Sequence, residues 1–281
     1  PAAVAASIGP NRANFGRNMV NVATARNETN NTTWRVVAGL NGNLGGGWAW
    51  DTYFTHGVNK NNQHLYHNVV STFLAYALDA VQTPSGIVCG ITVPGHLDPR
   101  TGAPYSAADL AKAGLGGPCT PLNLFGTGNA DPAAVDYAFR TLEEFSTYKQ
   151  DVAAANLRGE LFDGFGAGSV KLATGVEWRR EHGNVTHNLS NQPWYTDYFL
   201  SYGLDYGGTQ EVLEGYGELN VPVFKDWALG RYLELDGAIR ATHNKASGTA
   251  GVNAGLSRSH SFATWKVSGI WDVTDWLRFR G

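Results

Sequence analysis

Residues 170–179 have the sequence VKLATGVEWR, and their side chains alternate between two kinds along the chain. In an extended conformation Leu172 and Val176 lie on one side of the chain, whereas Glu177 and Arg179 lie on the other. This is a period of two, not the 3.6 of a helix, and it predicts an amphipathic β-strand.

Two later stretches, 213–221 (LEGYGELNV) and 233–240 (LELDGAIR), repeat the alternation. The charged positions of the three stretches are predicted to share one face of a sheet: Glu177, Arg179, Glu214, Glu218, Glu234, Asp236 and Arg240. In a soluble sandwich these charges would meet water and the apolar rows would form a core. In an outer-membrane barrel the apolar rows would meet lipid and the charges would line a wet interior. Alternation alone does not choose between the two.

Composition excludes some classes of protein and favours another. The net charge is −3 and no basic cluster is interleaved with aromatic residues, so we predict no nucleic-acid partner. No run approaches the ~18 apolar residues of a membrane-spanning helix, but a barrel strand needs only ~9 to 11 residues, half of them polar. The 35 glycines, 12% aromatic residues and only 16% charged residues favour a barrel.

Nine strands are predicted along the chain, after an irregular segment at 1–16. They are 17–25, 32–41, a strand beginning at 48, 152–162, 170–179, 213–221, 233–240, 261–271 and 276–281. Polar residues at 27–31 predict a turn between the first two strands. The region 59–148 loses the alternation and is predicted to be a large loop with two helices. One helix spans about 69–81, and the other begins at Asp131 as N-cap with Pro132 at the next position.

The lengths of the predicted connections alternate between short and long after the first pair. In chain order the connections are 27–31, 43–47, 59–148, 163–169, 182–210, 224–230, 243–259 and 272–275. An up-and-down barrel with brief periplasmic turns and long extracellular loops produces this pattern, whereas a Greek-key sandwich does not. Trp and Tyr residues at strand ends suit aromatic girdles, and aromatic core residues are the alternative.

Two groups of loop residues are candidate sites. Cys89 and Cys119 are the only cysteines, and we predict a disulfide that stabilises the large loop by roughly 3 kcal/mol, with free thiols or a metal site as alternatives. An aromatic and polar cluster is predicted to form part of a ligand vestibule by stacking and hydrogen bonding, and packing within the loop is the alternative. Its members are Trp194, Tyr195, Asp197, Tyr198, Tyr202 and Tyr206.

No catalytic, cofactor or metal site is predicted. The charged strand positions resemble a hydrated wall with cross-strand pairs more than an acid/base pair, and the nucleophile-elbow, phosphate-loop and metalloprotease motifs are missing. The spacing of His56, His64 and His67, and of His182 and His187, is weak evidence for a metal, since histidines in polar loops are common.

Six segments resemble the barrel of TonB-dependent outer-membrane receptors. They are 40–59 (LNGNLGGGWAWDTYFTHGVN), 121–126 (PLNLFG), 155–162 (ANLRGELF), 175–183 (GVEWRREHG), 215–224 (GYGELNVPVF) and 264–281 (TWKVSGIWDVTDWLRFRG). The resemblance implies that residues 17–281 belong to a transmembrane barrel of about 22 strands with a plugged lumen, in the bacterial outer membrane. It implies outer-membrane lipid, TonB and a small-molecule or oligosaccharide ligand as partners. A plug, a TonB box and a closing aromatic C-terminal strand are missing, so we expect the middle of a longer protein.

The functional hypothesis is TonB-dependent uptake of a scarce solute, such as a siderophore, cobalamin or oligosaccharide, without catalysis. A passive or structural outer-membrane barrel is one alternative. A soluble all-β carbohydrate-binding protein or glycosidase is the other, and its apolar rows would be buried in a core.

Overall fold

The computed structural model describes residues 16–200 and 203–281, and the chain divides into two units. The sheet unit comprises 30–62, 145–186 and 204–281, and the helical unit comprises residues up to 29, 63–144 and 187–203. The strands are β1 (Arg26–Gly45), β2 (Trp48–Val69), β3 (Ala80–Thr83), β4 (Gly86–Cys89), β5 (Phe139–Asp163), β6 (Ser169–His187), β7 (Tyr206–Trp227), β8 (Gly230–Ala250), β9 (Ser257–Asp272) and β10 (Arg278–Arg280). The helices are α1 (Ser71–Leu78), α2 (Ala107–Leu115) and α3 (Pro132–Ala138). The predicted irregular segment 1–16 falls, apart from Gly16, outside the described residues.

Eight strands form one sheet in the order β1-β2-β5-β6-β7-β8-β9-β10. Spatial neighbours are therefore consecutive strands of the sheet, and the pairs from β6 to β10 are antiparallel. The all-β, antiparallel, up-and-down prediction is confirmed. Among the described residues the sheet is open, with β1 and β10 as its edges, and it does not close into a barrel. Strands β3 and β4 form a separate antiparallel hairpin.

The strand register gives the sheet an apolar face and a polar face. Leu172 pairs with Leu219, and on the same row Gly237 of β8 pairs with Val267 of β9. These rows are not packed into a core, since 70% of Val267 and 78% of the neighbouring Trp265 are accessible to solvent. The sheet unit therefore leaves its apolar face uncovered, which is the opposite of a sandwich.

The predicted start of the sheet is wrong. Residues 17–25 form no strand. They include a turn in which the amides of Val22 and Ala23 donate hydrogen bonds to the Met19 carbonyl oxygen at 2.8 and 2.9 Å. The predicted turn at 27–31 lies inside β1. Its polar composition suggests a turn, but β1 pairs with β2, and the side-chain amide of Asn59 donates to Asn31 Oδ1 at 2.6 Å.

The predicted loop 59–148 is too long at both ends, because β2 continues to Val69 and β5 begins at Phe139. Residues 59–64 (NKNNQH) and 147–151 (TYKQD) are polar at successive positions, so both faces of these strand ends carry polar groups. Without a difference between the faces there is no alternation to detect. Backbone pairing maintains the strands there.

The alternation of connection lengths is confirmed with one exception. The connections 46–47, 164–168, 228–229 and 273–277 are short and lie at one end of the strands, which we call the turn end. The connections 70–138 and 188–205 are long. The predicted long loop 243–259 is wrong, since β8 runs to Ala250 and β9 begins at Ser257.

The core of the helical unit is aromatic. Phe73, Tyr76, Tyr137 and Trp194 are almost fully buried, and the ring centroids of Phe73 and Tyr137 lie 5.1 Å apart. A disulfide joins Cys89 to Cys119, as predicted, with Cα atoms 6.1 Å apart. It links the end of β4 to the segment after α2.

The helices of this unit start at identifiable caps. Asp131 is the N-cap of α3, and its carboxylate accepts a hydrogen bond from the Ala133 amide. Pro132 is the first residue of the helix, so the predicted start of α3 is confirmed. The first predicted helix is shorter than expected, Ser71–Leu78. Helix α2 was not predicted, although Ser106 and Asp109 form a capping box that the sequence displays. In the described part of the chain, no helix is long and apolar enough to span a membrane.

Candidate functional site

All seven charged residues predicted to share a face do so in the structure. Glu177 of β6 pairs directly with Glu214 of β7, and Asp236 of β8 pairs with Asn220 of β7 on the same face. The remaining members, Arg179, Glu218, Glu234 and Arg240, occupy alternate positions on the same strands. We call this the polar face.

Like charges on the polar face are compensated by neighbouring donors. The Thr242 hydroxyl donates to Glu214 Oε1 at 2.8 Å, and Arg240 Nη1 lies 3.4 Å from Glu214 Oε2. Arg179 Nη1 lies 3.8 Å from Glu177 Oε1. The Glu177–Glu214 pair is therefore embedded in cations and hydroxyls, as expected for a structural wall with cross-strand pairs.

A hydrogen-bonded chain extends across the middle of the polar face. The Tyr216 hydroxyl donates to Asn156 Oδ1 at 3.0 Å, and Asn156 Nδ2 donates to Asp51 Oδ2 at 2.7 Å. On the same face, the Tyr53 hydroxyl donates to Glu177 Oε2 at 3.4 Å. These groups satisfy one another and hold the strands β2, β5, β6 and β7 in register.

Away from the turn end, the polar face borders a cavity of about 940 Å³. Strands β1, β2 and β5 to β9 all contribute to its lining, and the residues from β1 and β9 include Arg35 and Arg258. Five glycines also line the cavity, namely Gly57, Gly183, Gly207, Gly208 and Gly248. Because these positions have no side chain, the strands leave open space in front of the polar groups.

The aromatic residues Trp34 and Tyr148 and several amide groups line this cavity. A Cβ on Gly183 would lie 3.0 Å from the Tyr148 ring, so the ring covers the glycine, and 45% of Tyr148 is accessible to solvent. Gln150 Nε2 donates to Glu181 Oε1 at 2.8 Å. Asn59 and Gln210 line the same space. The arrangement offers a flat ring and hydrogen-bonding groups, which suits a polar solute.

Apart from Arg35, which lies within the predicted strand 32–41, most polar residues of the cavity lie beyond the ends of the strands predicted from the sequence. Glu181 continues the alternation of Glu177 and Arg179, but the predicted strand stopped at residue 179. Tyr148 and Gln150 of β5 precede the predicted strand 152–162, and Arg258 of β9 precedes the predicted strand 261–271. Extending the alternation outward from each strand would have placed these side chains on the polar face.

Three of the six residues of the predicted vestibule cluster are buried and do not form a ligand surface. Trp194, Tyr195 and Tyr198 are 3–4% exposed and belong to the core of the helical unit, where their rings pack on one another. Burial raises the pKa of Tyr198 to about 12. Their role is thus the alternative that the sequence left open, packing within the loop.

The other members of that cluster are placed differently. Asp197 accepts from the Thr72 hydroxyl and lies 2.9 Å from Lys112 Nζ, so it holds α1 and α2 within the helical unit. Tyr206 begins β7 in the sheet unit and is 53% exposed. Tyr202 lies outside the described residues.

Of the five histidines considered as metal ligands, His56, His64 and His187 pair with separate carboxylates, and His67 and His182 contact Thr24 and Thr209. Nδ1 of His64 lies 3.0 Å from Glu143 Oε1, and Nε2 of His187 lies 3.2 Å from Glu144 Oε2. Across residues 16–200 and 203–281, no three His, Cys, Asp or Glu side chains are grouped as a metal site requires.

No family model matches this chain, and a search of curated proteins finds no significant match.

Proposed function

We propose that this chain is part of the barrel wall of a TonB-dependent outer-membrane receptor that takes up a scarce polar solute without catalysis. The observation that carries the proposal is the uncovered apolar face of the sheet unit. Leu235, Ile239, Trp265 and Val267 lie on it, and each is at least 45% exposed.

The uncovered face favours lipid over water as its surroundings. A buried aliphatic side chain stabilises a protein by roughly 1.5–3 kcal/mol, and a soluble protein rarely leaves a continuous row of such groups exposed. In a bilayer the same row is already in hydrocarbon, and a sheet needs no second layer. This argues against the soluble carbohydrate-binding protein or glycosidase.

The polar face supports a hydrated interior. Its carboxylates are paired with arginines, hydroxyls and amides, as at Glu214 and Asp51. An outer-membrane barrel with a polar lumen needs such a wall, and a cavity on that side gives a solute a place to bind. The disulfide-linked helical unit suits an oxidising environment such as the cell surface or periplasm.

Dependence on TonB rests on the resemblance of the six sequence segments. In this proposal the plug and the TonB contact belong to the longer protein, and this chain contributes wall and ligand contacts. A passive barrel would have the same wall but would conduct without energy.

The test uses the full-length gene in its own bacterium. Fractionation should place the protein in the outer membrane, and a strain lacking the gene should lose uptake of a labelled solute. Adding an uncoupler of the proton gradient, or deleting the TonB gene, should abolish the same uptake. Uptake that persists under both treatments would favour the passive barrel, and a protein that stays in the soluble fraction would refute the membrane assignment.

A further inference from the structure

The arginines of the polar face fall into two classes. Arg158, Arg179 and Arg240 each lie 3.4 to 3.9 Å from a carboxylate of the same face. Arg35 and Arg258 line the cavity, and no carboxylate among the described residues lies within 4 Å of either. Within the described residues, the side chain of Arg35 makes one hydrogen bond, to the Thr55 hydroxyl at 3.5 Å. The cavity therefore has two guanidinium groups without an anionic partner among the described residues.

The carboxylate of Glu181, which lines the cavity, forms no ion pair with Arg35 or Arg258. Glu181 accepts a hydrogen bond from Gln150 at 2.8 Å, and no arginine nitrogen of the described residues is within ion-pair distance of it. Because guanidinium groups have rigid forks of donors, each can bind one carboxylate through two parallel hydrogen bonds.

The remaining lining suits a hydroxylated or amide-bearing body between the charges. Asn59 and Gln210 present amides, and Tyr148 presents its ring over Gly183. Arg35 on β1 and Arg258 on β9 come from opposite sides of the sheet and border the same space. Two separate guanidinium groups on strands far apart in the sheet suit a solute with more than one acidic group.

We propose that the solute of this cavity is a polycarboxylate, with Arg35 and Arg258 each binding one of its carboxylate groups. The inference rests on the proposed function and narrows its substrate class. Two sources share this chemistry, an acidic oligosaccharide and a carboxylate chelate of iron, and the experiment separates them.

The experiment measures binding by isothermal calorimetry with the purified full-length protein in detergent. The probes are a galacturonic acid trisaccharide, the neutral galactose trisaccharide and ferric citrate. At least one acidic probe should bind, more weakly as salt increases, and the neutral trisaccharide should bind far more weakly. Arg35→Gln and Arg258→Gln should each reduce the affinity roughly tenfold or more, the usual value of a charge-assisted contact.

Two further variants control for folding and geometry. Arg231 at the turn end is paired with Asp226 and Asp275, so Arg231→Gln removes a positive charge outside the cavity and should leave binding unchanged. Arg35→Lys keeps the charge but loses the planar fork, and its affinity should lie between those of the native protein and Arg35→Gln.

The outcomes separate this inference from the transport proposal. Failure of both acidic probes to bind, equal binding of the neutral trisaccharide, or unchanged affinity in Arg35→Gln and Arg258→Gln would overturn it. Binding as expected in detergent without uptake in cells would leave the polycarboxylate site in place and refute only the transport function.

Discussion

Tyr216 of β7 reaches across β6 to donate a hydrogen bond to Asn156 Oδ1 of β5, at 3.0 Å. The residue beneath this contact is Gly175. A Cβ built there would lie 2.4 Å from Asn156 Oδ1 and 2.7 Å from Tyr216 Cε1. The glycine thus leaves the room that lets side chains two strands apart meet.

Gly175→Ala is expected to break this contact and destabilise the sheet unit by roughly 1–3 kcal/mol, because the added methyl also meets the Ala155 carbonyl oxygen at 2.8 Å. The measurement is the midpoint of urea unfolding of the full-length protein in lipid vesicles. Gly217→Ala is the matched control, since a Cβ there would have no described atom within 4 Å. Equal stability of the two variants would show that the hydrogen bonds from Tyr216 through Asn156 to Asp51 do not stabilise the sheet unit.

In the eight-stranded sheet the sequence predicted the central parts of the strands better than their ends, whereas the hairpin of β3 and β4 was not predicted. Alternation identified β6, β7 and β8 and put Glu177, Glu214 and Asp236 on one face, because there one face is apolar and the other polar. The alternation stops where both faces are polar, as at 147–151, and there the strand depends on pairing with neighbours that are distant in sequence. The cavity lies among these polar strand ends, so most of the residues that line it were not predicted from the alternation.

For three of its six residues, the vestibule prediction was wrong for a different reason. Trp194, Tyr195 and Tyr198 have the composition of a stacking surface, but the same rings fill a small core. The composition of a segment shows that its rings can stack on a ligand, but it does not show whether other residues bury those rings. The helical unit needs such a core because its described α-helices, α1 to α3, are short.

Replacing both Cys89 and Cys119 with Ala is expected to destabilise the helical unit by roughly 3–4 kcal/mol, because a cross-link over 30 residues restricts the unfolded chain. Hydrogen exchange of α1 and α2 measures the change, and the amides of β7 and β8 in the sheet unit should keep their protection. Loss of protection in all of these elements together would mean that the disulfide supports more than its own unit.

The helical unit is expected to lose stability in strong alkali through Tyr76. Burial, followed by the nearby Asp109 carboxylate, raises the pKa of this phenol to about 12, against ~10 in an unfolded chain. A raised pKa means that the protonated phenol is favoured in the folded state. The raised pKa of Tyr76 contributes up to roughly 2 kcal/mol to the free energy of unfolding. This contribution is fully present below pH ~10 and is lost as the pH rises towards 12.

Unfolding of the native protein and of Tyr76→Phe, followed by hydrogen exchange or denaturant between pH 8 and pH ~12, measures that contribution. Tyr76→Phe should be about 1 kcal/mol less stable at pH 8, because the hydrogen bond to Asp109 is lost. Its free energy of unfolding should also fall less steeply as the pH rises. Tyr198 contributes in the same direction in both proteins, so only the difference between them is interpreted. Parallel pH curves would refute the role of Tyr76.

Leu235→Arg tests which solvent meets the apolar face. Leu235 pairs with Gly269 and Val221 in the sheet and is 45% exposed. Arginine in place of a lipid-facing residue near the middle of a bilayer costs roughly 2–4 kcal/mol, whereas the same change on a water-exposed sheet costs little. The variant is therefore expected to assemble poorly in the outer membrane, as measured by the fraction with folded mobility in unheated gels.

Glu234→Gln is the control one residue away, on the polar face. The Tyr232 hydroxyl donates to Glu234 Oε2 at 2.6 Å, and a glutamine oxygen can accept the same hydrogen bond, so assembly should be nearly normal. Normal assembly of both variants would mean that water, not hydrocarbon, covers Leu235. Because the membrane assignment rests on that face, it would then be wrong, even though the topology of the sheet would be unchanged.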